Sequence, residues 1–409
     1  MECNIIFTEN NDIEDNSIRF NNLEQFIEWY FKNKNSLKNK KINFQIENNI
    51  NIQTINNLYK FLSFYKETKE LCDKFMKEEA NKLLQTDDKE EVCEALDQLV
   101  RMNEGGKFLR GTLIALGYKA SNKYDNDFLK LSSAMEIFQT SILIHDDIID
   151  NDLLRRGKPT IPASYIEKYK DIKNKKELNS LANSMGICIG DLGFYIASQI
   201  IIDSYKENPN FSELISYYNQ MVIRTCKGEI LDVMLPFKEK HLQNQSTLEK
   251  IIEIYKLKTA WYSVVGPFCL GFILGSGKET KKIEEALISA GIAFQIKDDI
   301  LGIFGSEKTT GKSNISDAEE FKQTILYSYV LDTEYKNELL KYYGKENIND
   351  EEVKTIREIF IKSGAKENAE KSMQELFDRS IRAIEELNIN DESKDLLRGF
   401  ITYLNYRSK

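Results

Sequence analysis

Hydrophobic residues recur at spacings of three and four along most of the chain, which is the period of an amphipathic helix. In the stretch from residue 128 to 142 the apolar stripe comprises Phe128, Leu131, Met135, Phe138 and Ile142. Strict alternation bounded by turn pairs, the usual strand signal, is rare. Only 5 prolines and 20 glycines interrupt the 409 residues. The pattern predicts an all-α protein.

The first 55 residues depart from this periodicity and are rich in Asn, Lys and Ile, as in "KNKNSLKNKKIN". We therefore predict a boundary near residue 55, with an N-terminal extension over 1–55 and an all-α domain over 56–409. Two interpretations of the extension remain open. It is either a loosely attached, partly disordered segment that reflects biased composition, or an added helix around "LEQFIEWYF" that docks on the domain.

Overall charge and cysteine usage exclude several classes of protein. The formal net charge is −9, whereas a general nucleic-acid binder needs excess Lys and Arg to neutralise phosphates. The 6 cysteines include no CxxC pair and there are 2 histidines, which argues against a zinc site and against a disulfide framework. The N-terminus lacks the apolar core of a secretory signal. The most apolar window, 263–277, is shorter than the roughly 20 residues of a membrane span. We expect a cytoplasmic protein without a transmembrane segment.

Opposed charges concentrate in "ILIHDDIIDNDLLRRGK", directly after an apolar run. On a helix Asp146 and Asp150 project from the same face, with Asp147 beside them. Like charges at this spacing destabilise a helix by roughly 0.2–0.5 kcal/mol per pair, so a cation is expected nearby. Oxygen ligands that leave room for substrate phosphates suit Mg²⁺. Arg155 and Arg156 then serve as phosphate clamps, although a helix end whose acids pair with these arginines fits this motif as well.

A second acidic pair, Asp298 and Asp299 in "FQIKDDILGIFG", strongly favours the metal interpretation over simple ion pairing. The glycines of "GGKFLRG" allow the backbone to approach an anion at a helix start. Three pieces carry groups that suit a diphosphate pocket: Lys107 and Arg110 in "GGKFLRG", Lys258 and Thr259 in "KLKTAWYS", and Lys312 in "TTGKSNISD".

These motifs resemble those of the trans-polyprenyl diphosphate synthases, the family of farnesyl and geranylgeranyl diphosphate synthases. The resemblance extends from Phe61 to the C-terminus and rests on motifs in a fixed order: GGKxxRG, the first Asp-rich motif with its RRG, Gly190-Asp191 followed by Phe194, the Lys-Thr-Ala piece, and QxxDD followed by a lysine. It implies an isoprenoid-synthase-like helical bundle around a deep central cavity, usually a homodimer, with Mg²⁺ as cofactor.

The resemblance also implies roles for individual residues. The Mg²⁺ ligands would be Asp146, Asp147, Asp150, Asp298 and Asp299. The allylic diphosphate would be held by Arg155, Lys258 and Lys312, and the diphosphate of isopentenyl diphosphate by Lys107, Arg110 and Arg156, with Gln139 nearby. The reaction chamber would be lined by Gln295, Thr259 and Tyr262. The catalytic residues would be the first-motif aspartates together with Lys258, Thr259 and Gln295.

The implied reaction is head-to-tail condensation of isopentenyl diphosphate with an allylic prenyl diphosphate, releasing diphosphate. Gly302 stands where the second motif often has a third aspartate, which leaves the occupancy of one Mg²⁺ site open. Two alternatives share the fold: a terpene cyclase or head-to-head synthase, and a noncatalytic partner subunit. The basic residues of GGKxxRG argue against a cyclase, and the intact first motif argues against a noncatalytic chain.

Residues just before the first Asp pair limit product length in this family. Ser141 and Ile142 are not aromatic, so they do not set a limit at fifteen carbons. Phe138 lies one turn deeper, about 4.5 Å along the axis, and predicts a product of about twenty carbons, with about fifteen to twenty-five left open. The alternative is that Phe138 only packs the core. For His145, simple packing or hydrogen bonding stands beside a supporting role behind the metal ligands.

Overall fold

The computed structural model describes residues 3–8, 18–20, 29, 41–45, 52–83, 89–242, 247–305, 316–345 and 347–407. The all-α prediction is confirmed for the described part of the main domain. One hairpin of two-residue strands, at residues 154–159, is its β-structure among the described residues. Its helices are α1 Ile52–Leu83, α2 Glu90–Asn103, α3 Leu109–Ala120, α4 Leu129–Ile149, α5 Ile161–Lys168, α6 Lys175–Tyr205, α7 Phe211–Leu242, α8 Leu248–Ile254, α9 Gly266–Ser276, α10 Lys281–Phe304, α11 Ser316–Glu319, α12 Ile325–Leu331, α13 Lys336–Leu339, α14 Asp350–Lys362, α15 Ala365–Glu385 and α16 Asp391–Tyr406. The π-helix Tyr255–Val265 joins α8 to α9.

The N-terminal extension contains strands that the hydrophobic pattern did not predict. Strands β1 Cys3–Thr8, β2 Ile18–Phe20 and β3 Lys41–Gln45 form an antiparallel sheet in the order β2-β1-β3. These short runs are rich in Ile and Phe, which favour strands. The helix predicted around "LEQFIEWYF" lies outside the described residues except for Trp29, which is partly buried against the main core.

Helices α4 and α6 pack closely because glycines on α6 leave room for side chains of α4. A Cβ on Gly190 would come within 2.3 Å of His145 Nε2, and one on Gly193 within 2.2 Å of Ser141 Oγ. His145 packs edge-on against Phe194, and its Nε2 lies 3.2 Å from the carbonyl oxygen of Ile187. Its contacts therefore agree with the packing interpretation, and the close fit fixes the direction of the helix end that carries the first acidic motif.

Among the residues that the structure describes, two helical segments are long and apolar enough to cross a membrane by length and composition alone. In the helical segment Leu248–Ser276, 83% of the most apolar stretch is buried inside the protein, as expected for the core helix of a bundle. In Lys175–Tyr205 only 33% is buried. Helix α6 therefore presents an apolar surface.

Candidate active site

The two acidic motifs meet in the folded chain. A cavity of about 440 Å³ is lined by Asp146 and Asp150 from α4 and by Asp298 and Asp299 from α10. The two helices bring these carboxylates together from distant parts of the sequence. The same cavity is lined by most of the basic and polar residues that the motifs indicated: Lys107, Arg110, Gln139, Arg155, Arg156, Lys258, Thr259, Tyr262 and Gln295.

Asp147 differs from its neighbours in the first motif. Its side chain is buried, is absent from the cavity lining and faces Arg155, whose Nε donates to Asp147 Oδ1 over 2.7 Å. The Nη2 of Arg155 also donates to Asp152 Oδ2 over 3.0 Å. The helical spacing thus places Asp146 and Asp150 in the cavity, whereas Asp147 points to the side and holds an arginine. The ion-pair interpretation therefore describes Asp147, whereas the metal interpretation stays a prediction for Asp146 and Asp150.

A two-residue hairpin separates the neighbouring arginines. Strands β4 Leu154–Arg155 and β5 Lys158–Pro159 pair antiparallel. Between them Arg156 and Gly157 have φ of +54° and +73°, the positive values of a type I′ turn. Arg155 turns back to the first motif, whereas Arg156 donates to the Met102 carbonyl over 3.1 Å. The turn therefore sends two adjacent guanidinium groups to different parts of the cavity.

Lys258 lies among acids of α7. Its Nζ is 2.7 Å from Asp232, 2.8 Å from Glu229 and 3.9 Å from Asp146. The approach requires a glycine, because a Cβ on Gly228 would lie 2.3 Å from the Lys258 backbone nitrogen. The stretch "KGEILD" on α7 thus places Asp232 in the cavity lining and Glu229 beside Lys258.

A second lysine, Lys322, was not identified from the sequence. Its Nζ lies 3.0 Å from Asp150, 3.0 Å from Glu320 and 3.7 Å from Asp317. Lys322 and Asp317 both line the cavity. The signal was present in "SDAEEFK", but its distance from the first motif hid it. Lys312, the predicted diphosphate ligand in this region, lies outside the described residues.

Asp299 is held by a hydrogen-bond network. The Tyr255 hydroxyl donates to its Oδ2, and Gln295 Nε2 donates to its Oδ1 over 2.9 Å. Thr259 in turn donates to Gln295 Oε1 over 2.6 Å. The Tyr255 hydroxyl also accepts from the Ile325 N–H over 2.7 Å. Tyr255 escaped sequence analysis because its position three residues before Lys258 carried no motif.

The second aspartate of this pair faces the C-terminus. Asp298 forms an ion pair with Arg407, whose guanidinium lies 4.2 Å from the centre of the Phe294 ring. Arg407 follows directly after α16 and lines the cavity. No motif of the sequence indicated this residue, because only the packing of α16 against α10 brings it there.

The cavity also has a basic region, which consists of Lys107, Arg110 and Arg156. Arg110 is 7% exposed, donates to Ser263 Oγ over 2.6 Å and stacks on Tyr262 at 4.3 Å. Glu136 is buried nearby and accepts from the Gly111 N–H over 2.9 Å. Burial raises the pKa of Glu136, against the opposing charge of Arg110. A buried carboxylate thus supports this part of the site from behind.

The predicted chain-length residues lie outside the cavity lining. Phe138 is buried and its ring contacts Phe194, Tyr218 and Tyr262 at centroid distances of 5.4, 5.8 and 6.4 Å. Of these rings only Tyr262 lines the cavity. Ser141 donates to the Ile137 carbonyl over 3.0 Å, and Ile142 is partly buried against the core. An aromatic cluster therefore closes the space behind Tyr262.

The donor set of the cavity fits Mg²⁺. Its acids offer hard carboxylate oxygens. Among the described residues no three carboxylates, histidines or cysteines converge closely enough to enclose a metal ion alone. Mg²⁺ commonly binds through one or two carboxylates together with substrate phosphates and water. The arrangement therefore suits an ion that arrives with a diphosphate better than a closed structural metal site.

The acids in and around the cavity differ in their pKa values. Burial raises the pKa of Asp299 to about 8, and the charge of Asp317 adds to the shift. Burial and the charge of Asp146 raise the pKa of Glu229 to about 8. Burial raises that of Glu320 to about 7. Burial also acts to raise the pKa of Asp146, but the charge of Lys258 helps to outweigh it and holds the pKa below its usual value.

We expect metal-free protein to lose stability as pH rises. Unfolded carboxyls release their protons near pH 4, whereas Asp299, Glu229 and Glu320 retain theirs to about pH 7–8 in the folded chain. The folded state binds more protons between these values, so the free energy of unfolding falls with rising pH. In EDTA the melting temperature should be at least about 2 °C lower at about pH 8 than at about pH 6.

Scanning fluorimetry at both pH values measures this difference. Asp299→Asn, which cannot ionise, should reduce it. Added Mg²⁺ with diphosphate should shrink it, because a bound cation favours the ionised carboxylates. A metal-free protein that becomes more stable from about pH 6 to about pH 8 would contradict the assignment.

Comparison with known proteins gives the same result as the site. The polyprenyl synthetase family model matches residues 89–360, about two thirds of the chain. A short chain isoprenyl diphosphate synthase of Methanocaldococcus jannaschii is 30% identical over 262 residues, 62% of this chain and 72% of that protein. A geranylfarnesyl diphosphate synthase of Aeropyrum pernix is 27% identical over 312 residues, 75% of this chain and 91% of that protein.

A solved structure is also similar. The geranylgeranyl pyrophosphate synthase from Corynebacterium glutamicum, complexed with isoprenyl diphosphate and magnesium, matches with a TM-score of 0.73 and 25% identity. The match covers 85% of this chain and 99% of that chain. Of the described residues that line the cavity, all except Arg407 lie within the region 89–360 that the family model matches. Fold, motifs and relatives agree, and the chain belongs to the polyprenyl synthetase family and is a prenyltransferase.

Proposed function

We propose that this protein catalyses Mg²⁺-dependent head-to-tail condensation of isopentenyl diphosphate with an allylic prenyl diphosphate. The observation that carries the proposal is the meeting of Asp146 and Asp150 with Asp298 and Asp299 in one cavity that basic residues also line. Two diphosphates and their metal ions require this combination of acids and bases. The names of the relatives, which include short-chain, geranylgeranyl and geranylfarnesyl diphosphate synthases, support chain elongation.

The isopentenyl diphosphate subsite is assigned to Lys107, Arg110 and Arg156. Guanidinium groups bind phosphate oxygens bidentately, and Gly105 and Gly106 leave space for a close approach by an anion. A Cβ on Gly106 would lie 3.7 Å from Arg156 Nη1, which brings this loop next to the guanidinium group. Gln139 lines the same cavity and would orient the substrate.

The allylic diphosphate is assigned to the acidic side of the cavity. Mg²⁺ for this diphosphate would be held by Asp146, Asp150 and Asp299. The diphosphate itself would be bound directly by Lys258 and Lys322. When bound, Mg²⁺ neutralises charge that develops on the leaving diphosphate. Asp147 and Asp298 would act mainly through their arginines, Arg155 and Arg407.

The chain's own groups then control a cationic reaction. The allylic C–O bond breaks and diphosphate leaves with both bonding electrons. The isopentenyl double bond attacks the allylic carbon, a C–C bond forms, and the loss of one proton creates the longer allylic product. Thr259 and Gln295, which are hydrogen-bonded to each other, would present polar groups beside the allylic carbocation. The aromatic cluster behind Tyr262 excludes water, which would otherwise quench it.

We propose a product of about twenty carbons, with the aromatic cluster as its limit, since Phe138 lies about 4.5 Å deeper along the helix axis than Ser141, which is close to the length of one isoprene unit. Phe138→Ala is expected to lengthen the main product by at least one isoprene unit, because removal of the ring opens space behind Tyr262. Mass spectrometry of the products measures the length.

Phe400→Ala is the matched control for this change. Phe400 is equally buried but packs against Phe61 on α1, away from the cavity. Both substitutions remove a buried ring and cost about 3–5 kcal/mol of stability. An unchanged product in Phe138→Ala, or an equal lengthening in Phe400→Ala, would contradict a limiting role for Phe138.

We propose that the protein is a homodimer. Exposed apolar side chains cluster on α6 and α7: Ile187 49%, Tyr195 77%, Ile223 52%, Ile230 63% and Phe237 53%. Ile223, Ile230 and Phe237 recur every seven residues and so share one face of α7. Patches of this kind commonly mark interfaces. A single-chain mass in sedimentation velocity at micromolar concentration would contradict the proposal.

We also propose a cytosolic location. The helical segment Leu248–Ser276 is apolar because it is buried in the core. The apolar face of α6 would be covered by the second subunit. Fractionation of cells that express the full chain tests this location. Recovery in the membrane fraction after a salt wash would contradict it.

A single assay tests the proposed reaction. Purified protein is incubated with Mg²⁺, isopentenyl diphosphate and either dimethylallyl, geranyl or farnesyl diphosphate. The expected result is stoichiometric release of diphosphate with an elongated prenyl diphosphate, and its loss in EDTA. A hydrocarbon product would instead indicate a cyclase or head-to-head synthase, and no turnover with any primer would indicate a noncatalytic subunit.

A further inference from the structure

The turn that carries Lys322 has a backbone conformation that its own residues do not favour. Phe321, directly before the lysine, has φ of +58°, a left-handed value that glycine adopts readily and that a bulky side chain disfavours. Within the turn the Lys322 N–H donates to the Asp317 carbonyl over 2.9 Å. A strained turn of this kind persists only where its surroundings fix it, so contacts from outside the segment are required.

Two consecutive residues between α13 and α14 supply these contacts. The Tyr343 hydroxyl donates to the Lys322 carbonyl oxygen over 2.9 Å. The Gly344 N–H donates to the Ala318 carbonyl over 2.7 Å. Gly344 has φ of +85°, and a Cβ there would lie 2.8 Å from the Phe321 ring. The close approach therefore depends on glycine at this position, and it secures the turn at both ends.

Aromatic rings hold the turn from behind. The Phe321 ring lies 5.5 Å from the Tyr327 ring and 5.9 Å from the Tyr343 ring, between centroids. Tyr327 and Tyr343 stack at 5.1 Å, and Phe360 of α14 packs edge-on against Tyr343 at 6.2 Å. These four described side chains lie outside the cavity lining. The strained residue is thus fixed by its side chain as well as by its backbone.

The turn presents Lys322 to the cavity on its other side. The ammonium nitrogen lies 3.0 Å from Asp150 Oδ2 and 3.0 Å from Glu320 Oε2. A lysine side chain is a flexible four-carbon stem, so the direction in which it leaves the backbone decides which part of the cavity the ammonium group reaches. The Tyr343 hydroxyl binds the carbonyl oxygen of this same lysine, and it therefore acts on the point from which the stem starts.

We propose that Tyr343 is a positioning residue, which holds the backbone of Lys322 so that its ammonium group meets the allylic diphosphate. This role rests on the proposed function, because it takes Lys322 as a ligand of that diphosphate. Tyr343 lies outside the cavity lining, so its effect on the allylic substrate must pass through the turn. The isopentenyl diphosphate subsite lies on other elements and should not respond.

Tyr343→Phe tests this role, because it removes the hydroxyl and retains the stacked ring. The KM for the allylic diphosphate should rise by about three- to tenfold, the usual effect of losing one hydrogen bond. The KM for isopentenyl diphosphate should stay within about twofold of wild type. A purely structural role would instead lower the amount of active enzyme and leave both KM values unchanged. Steady-state assays that vary each substrate in turn measure the two values.

A double-mutant cycle with Lys322→Ala shows whether the effect passes through the lysine. In the Lys322→Ala background, Tyr343→Phe should change the allylic KM by less than about twofold, because the ammonium group that it directs is gone. Equal effects of Tyr343→Phe in the two backgrounds would overturn the role, since Tyr343 would then act by another route. Circular dichroism checks that each variant is folded.

Tyr205→Phe is the matched control. The Tyr205 hydroxyl also binds the backbone, since it accepts from the Leu131 N–H and donates to the Asp127 carbonyl, and the residue is buried outside the cavity lining. This variant should lose stability but keep both KM values. An unchanged allylic KM in Tyr343→Phe, or an equal rise in Tyr205→Phe, would overturn the positioning role alone. No turnover by wild type with any primer would overturn the proposed function, and this role with it.

Discussion

Replacing both Asp146 and Asp150 by asparagine is expected to lower kcat for chain elongation by at least about 10³-fold. These two carboxylates lie one helical turn apart at the end of α4 and both line the cavity. Asparagine keeps the shape but removes the charge that would hold Mg²⁺ against the allylic diphosphate. The half-saturating Mg²⁺ concentration should rise together with the fall in kcat. Steady-state assays over a range of Mg²⁺ concentrations measure both quantities.

Asp203→Asn is the control for this pair, because it makes the same change at an exposed position on α6. Its activity should match that of wild type. Circular dichroism of the double variant should show an intact fold, since each asparagine still fits its site. Activity within about tenfold of wild type in a folded double variant would contradict the assignment of the first motif.

Lys258→Ala is expected to damage both stability and catalysis. The lysine lies among Asp232, Glu229 and Asp146, so its loss leaves three clustered, partly buried acids without their cation. Breaking a buried ion pair from one side costs about 3–5 kcal/mol. Protonation of Glu229, whose pKa burial and Asp146 already raise to about 8, will reduce that cost. The ammonium group also stabilises the departing diphosphate, so kcat should fall by about 10²–10³-fold.

Urea unfolding in EDTA measures the stability change, and the elongation assay measures kcat. Added Mg²⁺ should stabilise Lys258→Ala more than it stabilises wild type, because a divalent cation can compensate the acids that have lost the lysine. Lys282→Ala, at an exposed lysine near the start of α10, is the control. If the variant unfolds in EDTA at the same urea concentration as wild type, Lys258 does not neutralise this cluster.

The hydrophobic period of the main domain was sufficient to predict its helices, because each helix buries one stripe of side chains. The residue types of the two acidic motifs were sufficient to predict a shared site. The spacing of Asp146 and Asp150 predicted their common face. These features are local in the sequence: they depend on residues within one or two turns of each other. The family was recognisable from the order of such local motifs.

Several features depended on contacts between distant segments. The direction of Asp147 follows from a type I′ hairpin that returns Arg155 to α4. Arg407 reaches Asp298 only because α16 packs against α10. The short strands of the extension gave no periodic signal, since each is too brief for alternation to stand out. The role of Tyr255 appears only where the π-helix meets Asp299.

Local periodicity and residue type were enough to predict the helical fold, the prenyltransferase chemistry and the faces from which the acids project. Which charges share the cavity depends instead on the packing of distant helices. Lys322 and Asp317 line the cavity from the segment after α10. A carboxylate is placed by the packing of the helix that carries it, whereas a sequence motif records only its neighbours along the chain.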